Sequence, residues 1–360
     1  MKKNSVKKLA KILVDYSCKV KKGETVLIDS DLPAKPLVLE LYRQILLKGA
    51  YPMIDWSTEG FAHIYYNNAT EEQLRHYPKI TEFKHLNTDA FIFIRAPKNR
   101  NELRNCDTRK ILLRRKILDP LSKIHIKKRW VIFDWPTKTL AKDAGMSFEK
   151  FQKFVFSSSL LDWKKETEKM KKVQNLLNKT DKVRIVAKNT DLTMSIKGMH
   201  AIIGDGSYNM PDGEVFTAPL KNSLNGFIKF DFPYRFMGRK ISGIFLEFRN
   251  GKVVRAKAEK NEKFLKQMLA TDSGSSYVGE LGIGCNYKID KFTDNTLFDE
   301  KIGGTIHLAL GFAYPECYKG KNGKKGNKSV IHADIVKDLR DGGKIYFDGK
   351  LVEENGKFKI

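Results

Sequence analysis

The sequence predicts an α/β N-terminal domain with a mostly parallel sheet, followed by an α+β, strand-rich C-terminal catalytic domain. Three observations carry that prediction. Short β-branched runs alternate with helical periodicity over the first half, the rhythm of βαβ units. Past residue 178 the texture changes to short strands and turns. The length of 360 residues exceeds the roughly 250–300 at which a single core stops growing. Two domains, 1–178 and 179–360, are therefore expected, with the change at Asn178-Lys179-Thr180-Asp181.

The elements follow in order. Leu9, Ile12, Leu13 and Tyr16 alternate with Lys8, Lys11 and Asp15, which reads as a docked amphipathic helix and not as an export signal. Residues 25–29 form a first strand, 32–47 a helix closed by Gly49, and 51–56, 89–95 and 129–135 three further strands. Asp31 and Asp134 fall at or just after strand ends, where open α/β sheets often bind ligands. Without a Gly-x-Gly-x-x-Gly run or a phosphate-binding loop, nucleotide binding has little support. Ser147 caps a helix through Phe148, Phe151 and Val155, and an amphipathic segment covers 160–177. In the second half, 183–187, 192–196, 227–232 and 244–248 are strand-like, Asn250-Gly251 is a hairpin turn and 260–270 a helix.

Composition narrows the function classes. No window approaches the ~18 uninterrupted apolar residues needed to span a bilayer, and Cys18, Cys106, Cys285 and Cys317 lack any paired spacing. The expectation is a soluble, cytoplasmic chain with reduced thiols. A formal charge of +25 invites a nucleic-acid reading. The basic runs at 109–116, 123–129 and 319–328 lack interleaved stacking aromatics or a recognition fold, so a solvated lysine-rich surface is preferred.

Five acidic or histidine residues of the second half stand in apolar surroundings. Strand alternation puts His332 and Asp334 of 329–336 on one face. His307 lies inside the apolar run 303–311, Glu280 among glycines and aliphatics at 277–284, and Glu214 after the turn Pro211-Asp212-Gly213. Buried carboxylates and imidazoles need partners. A divalent metal would satisfy all five, although either glutamate can pair with a buried lysine or arginine instead. The residues alone leave both readings open.

The strings NMPDGEVFTAP (209–219), GELGIG (279–284), FDEKIGGTIHLALGFAYP (298–315) and SVIHADIV (329–336), in that order, resemble the aminopeptidase T and aminopeptidase S family of two-metal exopeptidases. The resemblance runs from about residue 189 to the C-terminus. It implies a metal-dependent aminopeptidase that releases N-terminal amino acids through a water activated by two divalent ions, whether zinc, cobalt, manganese or magnesium. By that resemblance Glu214, Glu280, His307, His332 and Asp334 match the metal ligands, with Glu280 bridging, and Glu300 is a further ligand match. Tyr314 and Glu214 are the catalytic matches, the tyrosine as donor to the oxyanion. Partners implied are peptides with a free N-terminus and a second copy in a homodimer. Three positions depart from the family pattern: Gly213 stands beside Glu214 where many members have a second glutamate, the spacing from Glu300 to His307 is longer, and Ala333 replaces a common tryptophan. The alternatives are another metal-assisted hydrolase, acting on amides or phosphoesters, and a basic nucleic-acid-binding protein without catalysis.

Overall fold

The computed structural model describes residues 3–236, 239–318 and 326–359. The basic run expected at 319–328 therefore lies largely outside the described residues. The chain divides into two compact units, Met1–Leu161 with Gly206–Pro211, and Asp162–Asp205 with Asp212–Ile360.

The first unit is built on a five-stranded parallel sheet. Its strands stand in the order Tyr51–Ser57, Thr25–Asp31, Ala90–Arg95, Arg129–Asp134 and Asn209–Met210. Val26, Leu27, Ile28, Phe91, Ile92, Val131 and Phe133 are buried along it, as expected of parallel strands covered on both faces. The helix Lys35–Leu47 buries Leu37, Val38, Leu41 and Ile45. It is entered through a 3-10 turn, Leu32–Ala34, because Pro33 and Pro36 suit a first turn and not a helix interior. Asp31 and Asp134 are held by structural partners: Ser57 Oγ and the Ala96 amide donate to Asp31 at 2.6 Å each. Arg95 forks onto Asp134 at 2.5 and 2.9 Å.

The second unit opens with the helix Trp163–Leu177, whose Met170, Val173 and Leu177 join the core of the strand-rich part. The change of unit thus falls at Asp162, one helix before the turn at Asn178-Lys179-Thr180-Asp181. That turn marks a change of element type, whereas core membership follows the helix's apolar stripe. Two large antiparallel sheets follow, besides a two-stranded pair of Tyr234–Phe236 with Arg239–Ile241. The larger runs Lys252–Lys257, Phe245–Arg249, Asn225–Lys229, Thr190–Ser195, Lys182–Ala187, Lys344–Phe347, Lys350–Glu354 and Lys357–Phe358. The smaller runs His332–Asp338, Thr305–Gly311, Val278–Gly284, Glu214–Thr217 and Ile202–Gly204. Ile185, Leu192, Ile228 and Leu246 of the first pack in one core with Val215, Leu281, Ile283, Ile306, Leu308 and Ile335 of the second. The hairpin at Asn250-Gly251 is observed, both residues having positive φ, as a type I′ turn requires. No helix among the described residues is long and apolar enough to cross a membrane, and all four cysteines are free thiols.

Glu353, on the strand Lys350–Glu354, is 0% exposed, and neither carboxylate oxygen has a hydrogen-bond partner. Burial raises its carboxyl from 4.5 to about 8. Between those values the folded chain holds a proton that the unfolded chain has lost, so stability falls as pH rises through that window. Glu353→Gln should therefore gain ~1–3 kcal/mol on the native protein between pH 5 and pH 9. Denaturant melts at both pH values check this, and parallel pH profiles for the two proteins would refute it.

Candidate metal centre

The smaller sheet of the second unit brings the predicted ligands together by register. In it Gly284 stands opposite Glu214, Gly282 opposite His307, Ala309 opposite both Glu280 and Asp334, and Gly311 opposite His332. Paired residues share a face, so Glu214, Glu280, His307, His332 and Asp334 all project from one side. The intervening Val215, Leu281, Ile283, Ile306, Leu308, Ala333 and Ile335 fill the core on the other. A bulge between Val278 and Glu280 sets this register on the central strand.

Each ligand candidate sits across from a glycine or alanine, and the space is used. A Cβ on Gly282 would lie 2.1 Å from Nε2 of His307, and one on Gly204 would lie 3.0 Å from Cγ of Glu214. The imidazole of His307 occupies the volume that any larger residue at 282 would fill.

The side chains form two groups that share Glu280. Ligand atoms of Glu214, Glu280 and His307 lie within 4.8 Å of one another, as do those of Glu280, His332 and Asp334. Nε2 of His307 is 3.0 Å from Oε1 of Glu280 and 3.4 Å from Oε2 of Glu214. Nε2 of His332 is 3.2 Å from Oδ1 of Asp334 and 3.9 Å from Oε2 of Glu280. Glu280 therefore turns one oxygen toward each histidine. Nδ1 of His332 lies 2.8 Å from the carbonyl oxygen of Phe312. A carbonyl only accepts, so Nδ1 carries the proton and the Nε2 lone pair of the neutral ring is aimed into the group.

The electrostatics call for cations. Burial pushes the Glu280 carboxyl above the usual carboxylate range, against the pull of His307 and His332. Burial opposes charge on the two imidazoles, yet the carboxylates raise His307 to about 9 and His332 to about 10. Burial also disfavours ionised Asp334, but His332 beside it holds that carboxyl well below its ordinary value. Oε2 of Glu214 and Oε2 of Glu280 are buried with no hydrogen-bond partner. Hard or borderline divalent ions accept such an oxygen and imidazole set, and the residues fit them.

Glu300 is in neither group. Its carboxylate pairs with Lys301, and burial lifts it to about 8 despite that partner. Lys301 is the residue that sequence reasoning did not single out. It is 1% exposed and its Nζ is 3.2 Å from Oε1 of Glu214, the buried-lysine partner left open for that glutamate. Its local string, Asp299-Glu300-Lys301, reads as an ordinary solvated charge run, so nothing in the sequence marked it. Tyr314 is 39% exposed. Its ring sits 4.7 Å from that of His332 and edge-on to Phe216 and Phe312. Burial first, then Glu280 and Asp334, push its phenol far above the usual tyrosine value, so the hydroxyl stays a donor.

The family described as thermophilic metalloprotease (M29) matches residues 2–358. Aminopeptidase AmpS of Bacillus subtilis is 29% identical over 95% of this chain and 94% of its own. Aminopeptidase 2 of Geobacillus stearothermophilus is 26% identical over 91% and 90%. Among solved structures, wild-type AmpT from Thermus thermophilus superposes with a TM-score of 0.87 at 21% identity, covering 99% of this chain and 100% of the other. A 2,5-dihydroxypyridine dioxygenase from Pseudomonas putida KT2440 gives 0.64 at 13%, covering 99% and 98%. At those identities the likeness is one of fold, and one fold hosts more than one chemistry.

Gly282→Ala should displace the His307 imidazole while leaving the backbone comfortable, since Gly282 is not among the positive-φ glycines. The expected result is a loss of metal affinity of about 10–100-fold with an unchanged circular dichroism spectrum. Metal content after dialysis is the readout, and full retention would show that the pocket tolerates the methyl group.

Proposed function

The chain belongs to the thermophilic metalloprotease (M29) family, and from that membership we propose a metal-dependent aminopeptidase that uses two divalent ions to release residues from peptides with a free N-terminus. One observation carries the two-ion reading: Glu280 presents one oxygen to each of two ligand groups. Zinc, cobalt, manganese and magnesium all suit such donors.

Glu214, Glu280 and His307 would hold one ion, and Glu280, His332 and Asp334 the other. When bound, such ions lower the pKa of a water nucleophile and polarise the scissile carbonyl. The protein's own groups do the rest. The Phe312 carbonyl fixes the His332 tautomer, and the sheet fixes the spacing of all five side chains. Glu214, with one oxygen on Lys301 and the other toward His307, is suited to ligation. Tyr314, protonated and packed on His332, donates to the oxygen that gains charge as the carbonyl is attacked.

The test is release of free amino acid from unblocked and N-acetylated short peptides, after chelation and after adding back zinc, cobalt, manganese or magnesium. Cleavage of the unblocked peptides alone, and only with metal, is expected. Equal cleavage of blocked peptides would remove the exopeptidase reading, and turnover in chelator would remove the metal. Tyr314→Phe should lower kcat by about 10²-fold while KM stays within about twofold; an effect mainly on KM would assign Tyr314 to substrate binding instead.

A further inference from the structure

Lys301 follows the short helix Thr296–Asp299, and its backbone is pinned on both sides. Its amide donates to the Phe298 carbonyl, and its own carbonyl accepts from the Asn286 amide, both at 3.0 Å. The side chain then runs inward until only 1% of it remains exposed, with Glu214 at 3.2 Å and Glu300 in closer contact. A fully buried ammonium survives only where carboxylates compensate its lost hydration. Here they do, and one of them is a ligand candidate. The contact is uneven. Glu214, in the group with His307, touches Lys301 directly, whereas Asp334 of the other group pairs with His332 and feels the Lys301 charge only as a lesser influence behind the two histidines.

We propose that Lys301 is a resident cation of the Glu214 end of the centre and makes the two metal positions unequal, that of Glu214, Glu280 and His307 being the weaker and more exchangeable. This rests on the two-ion reading above. Lys301 sits 3.2 Å from Oε1 of Glu214, so an ion held there would share that carboxylate with an ammonium and gain less from it. The ammonium also repels a divalent ion at that position more than at the other, because its charge lies against that group. Glu300 is drawn into the same contact and serves as counter-ion to the lysine.

Calorimetric titration of the chelator-stripped, full-length protein with zinc tests this. Wild type should take up two equivalents. His332→Ala, which keeps the Glu214 group, should bind one zinc at least about tenfold more weakly than His307→Ala, which keeps the other; a unit charge a few ångströms away in a partly buried site accounts for that size. Adding Lys301→Met to the His332→Ala protein should tighten zinc binding by about tenfold or more, whereas Lys301→Arg should not. A lysine that merely props up the fold would give the opposite, weaker binding on its removal.

The outcomes separate the two claims. Uptake of a single equivalent by wild type would end the two-ion reading. Two equivalents, with His332→Ala binding as tightly as His307→Ala, would keep that reading and overturn the inequality. If the Lys301→Met chain does not fold, the order of the two histidine variants still decides the inequality, and Lys301→Gln in the His332→Ala protein, tightening zinc binding or failing to, decides its cause.

Discussion

Everything at this centre depends on strand register. Glu214, Glu280, His307, His332 and Asp334 come from four strands, and they meet only because the bulge before Glu280 and the pairing of Gly282 with His307 and Gly311 with His332 place them on one face. A slip of one residue on any strand would turn its ligands into the apolar core and its aliphatics into the polar pocket. The core therefore enforces the site. Leu281, Ile283, Ile306, Leu308 and Ile335 have nowhere else to go, and their burial aligns the charged face from the opposite side of the sheet.

That arrangement concentrates like charge where water cannot screen it. Glu280 and Asp334, with Glu214 and Glu300 close by, are buried or nearly so, and the protein meets them with Lys301 and two imidazoles raised into the range of 9 to 10. Protons on His307 and His332 occupy the role that divalent ions would take, so metal uptake and proton release are one equilibrium. The contrast with Glu353 is instructive. That carboxyl is equally buried but has no cation beside it, and it responds by staying neutral up to about pH 8.

Much of this was legible in the chain itself. The parallel sheet of the first unit follows from its β-branched runs, and the hairpin at Asn250-Gly251 from a dipeptide that favours positive φ at both residues. The five ligand candidates announced themselves as charged residues in apolar strings. Other features were not legible, for physical reasons. Helix 163–177 joins the second core through Met170, Val173 and Leu177, and an amphipathic stripe does not say which core it will meet. Asp31 and Asp134 stood at strand ends but spend their oxygens on Ser57, Ala96 and Arg95. Lys301 looked like any other lysine in a chain with a formal charge of +25, since burial of a side chain is a property of the folded neighbourhood and not of its local string.

The short strand Asn209–Met210 has a consequence for the order in which the molecule can be completed. It extends the parallel sheet beside Arg129–Asp134, yet it is encoded after residues 162–205 of the other unit. During synthesis the first sheet therefore leaves the ribosome with a bare edge and waits for more than a helix and two strands of its neighbour before that edge is covered. Since Glu214 stands only three residues beyond Pro211, the same short stretch of chain that finishes the first sheet also delivers the first ligand of the centre, and neither unit is encoded as one uninterrupted piece.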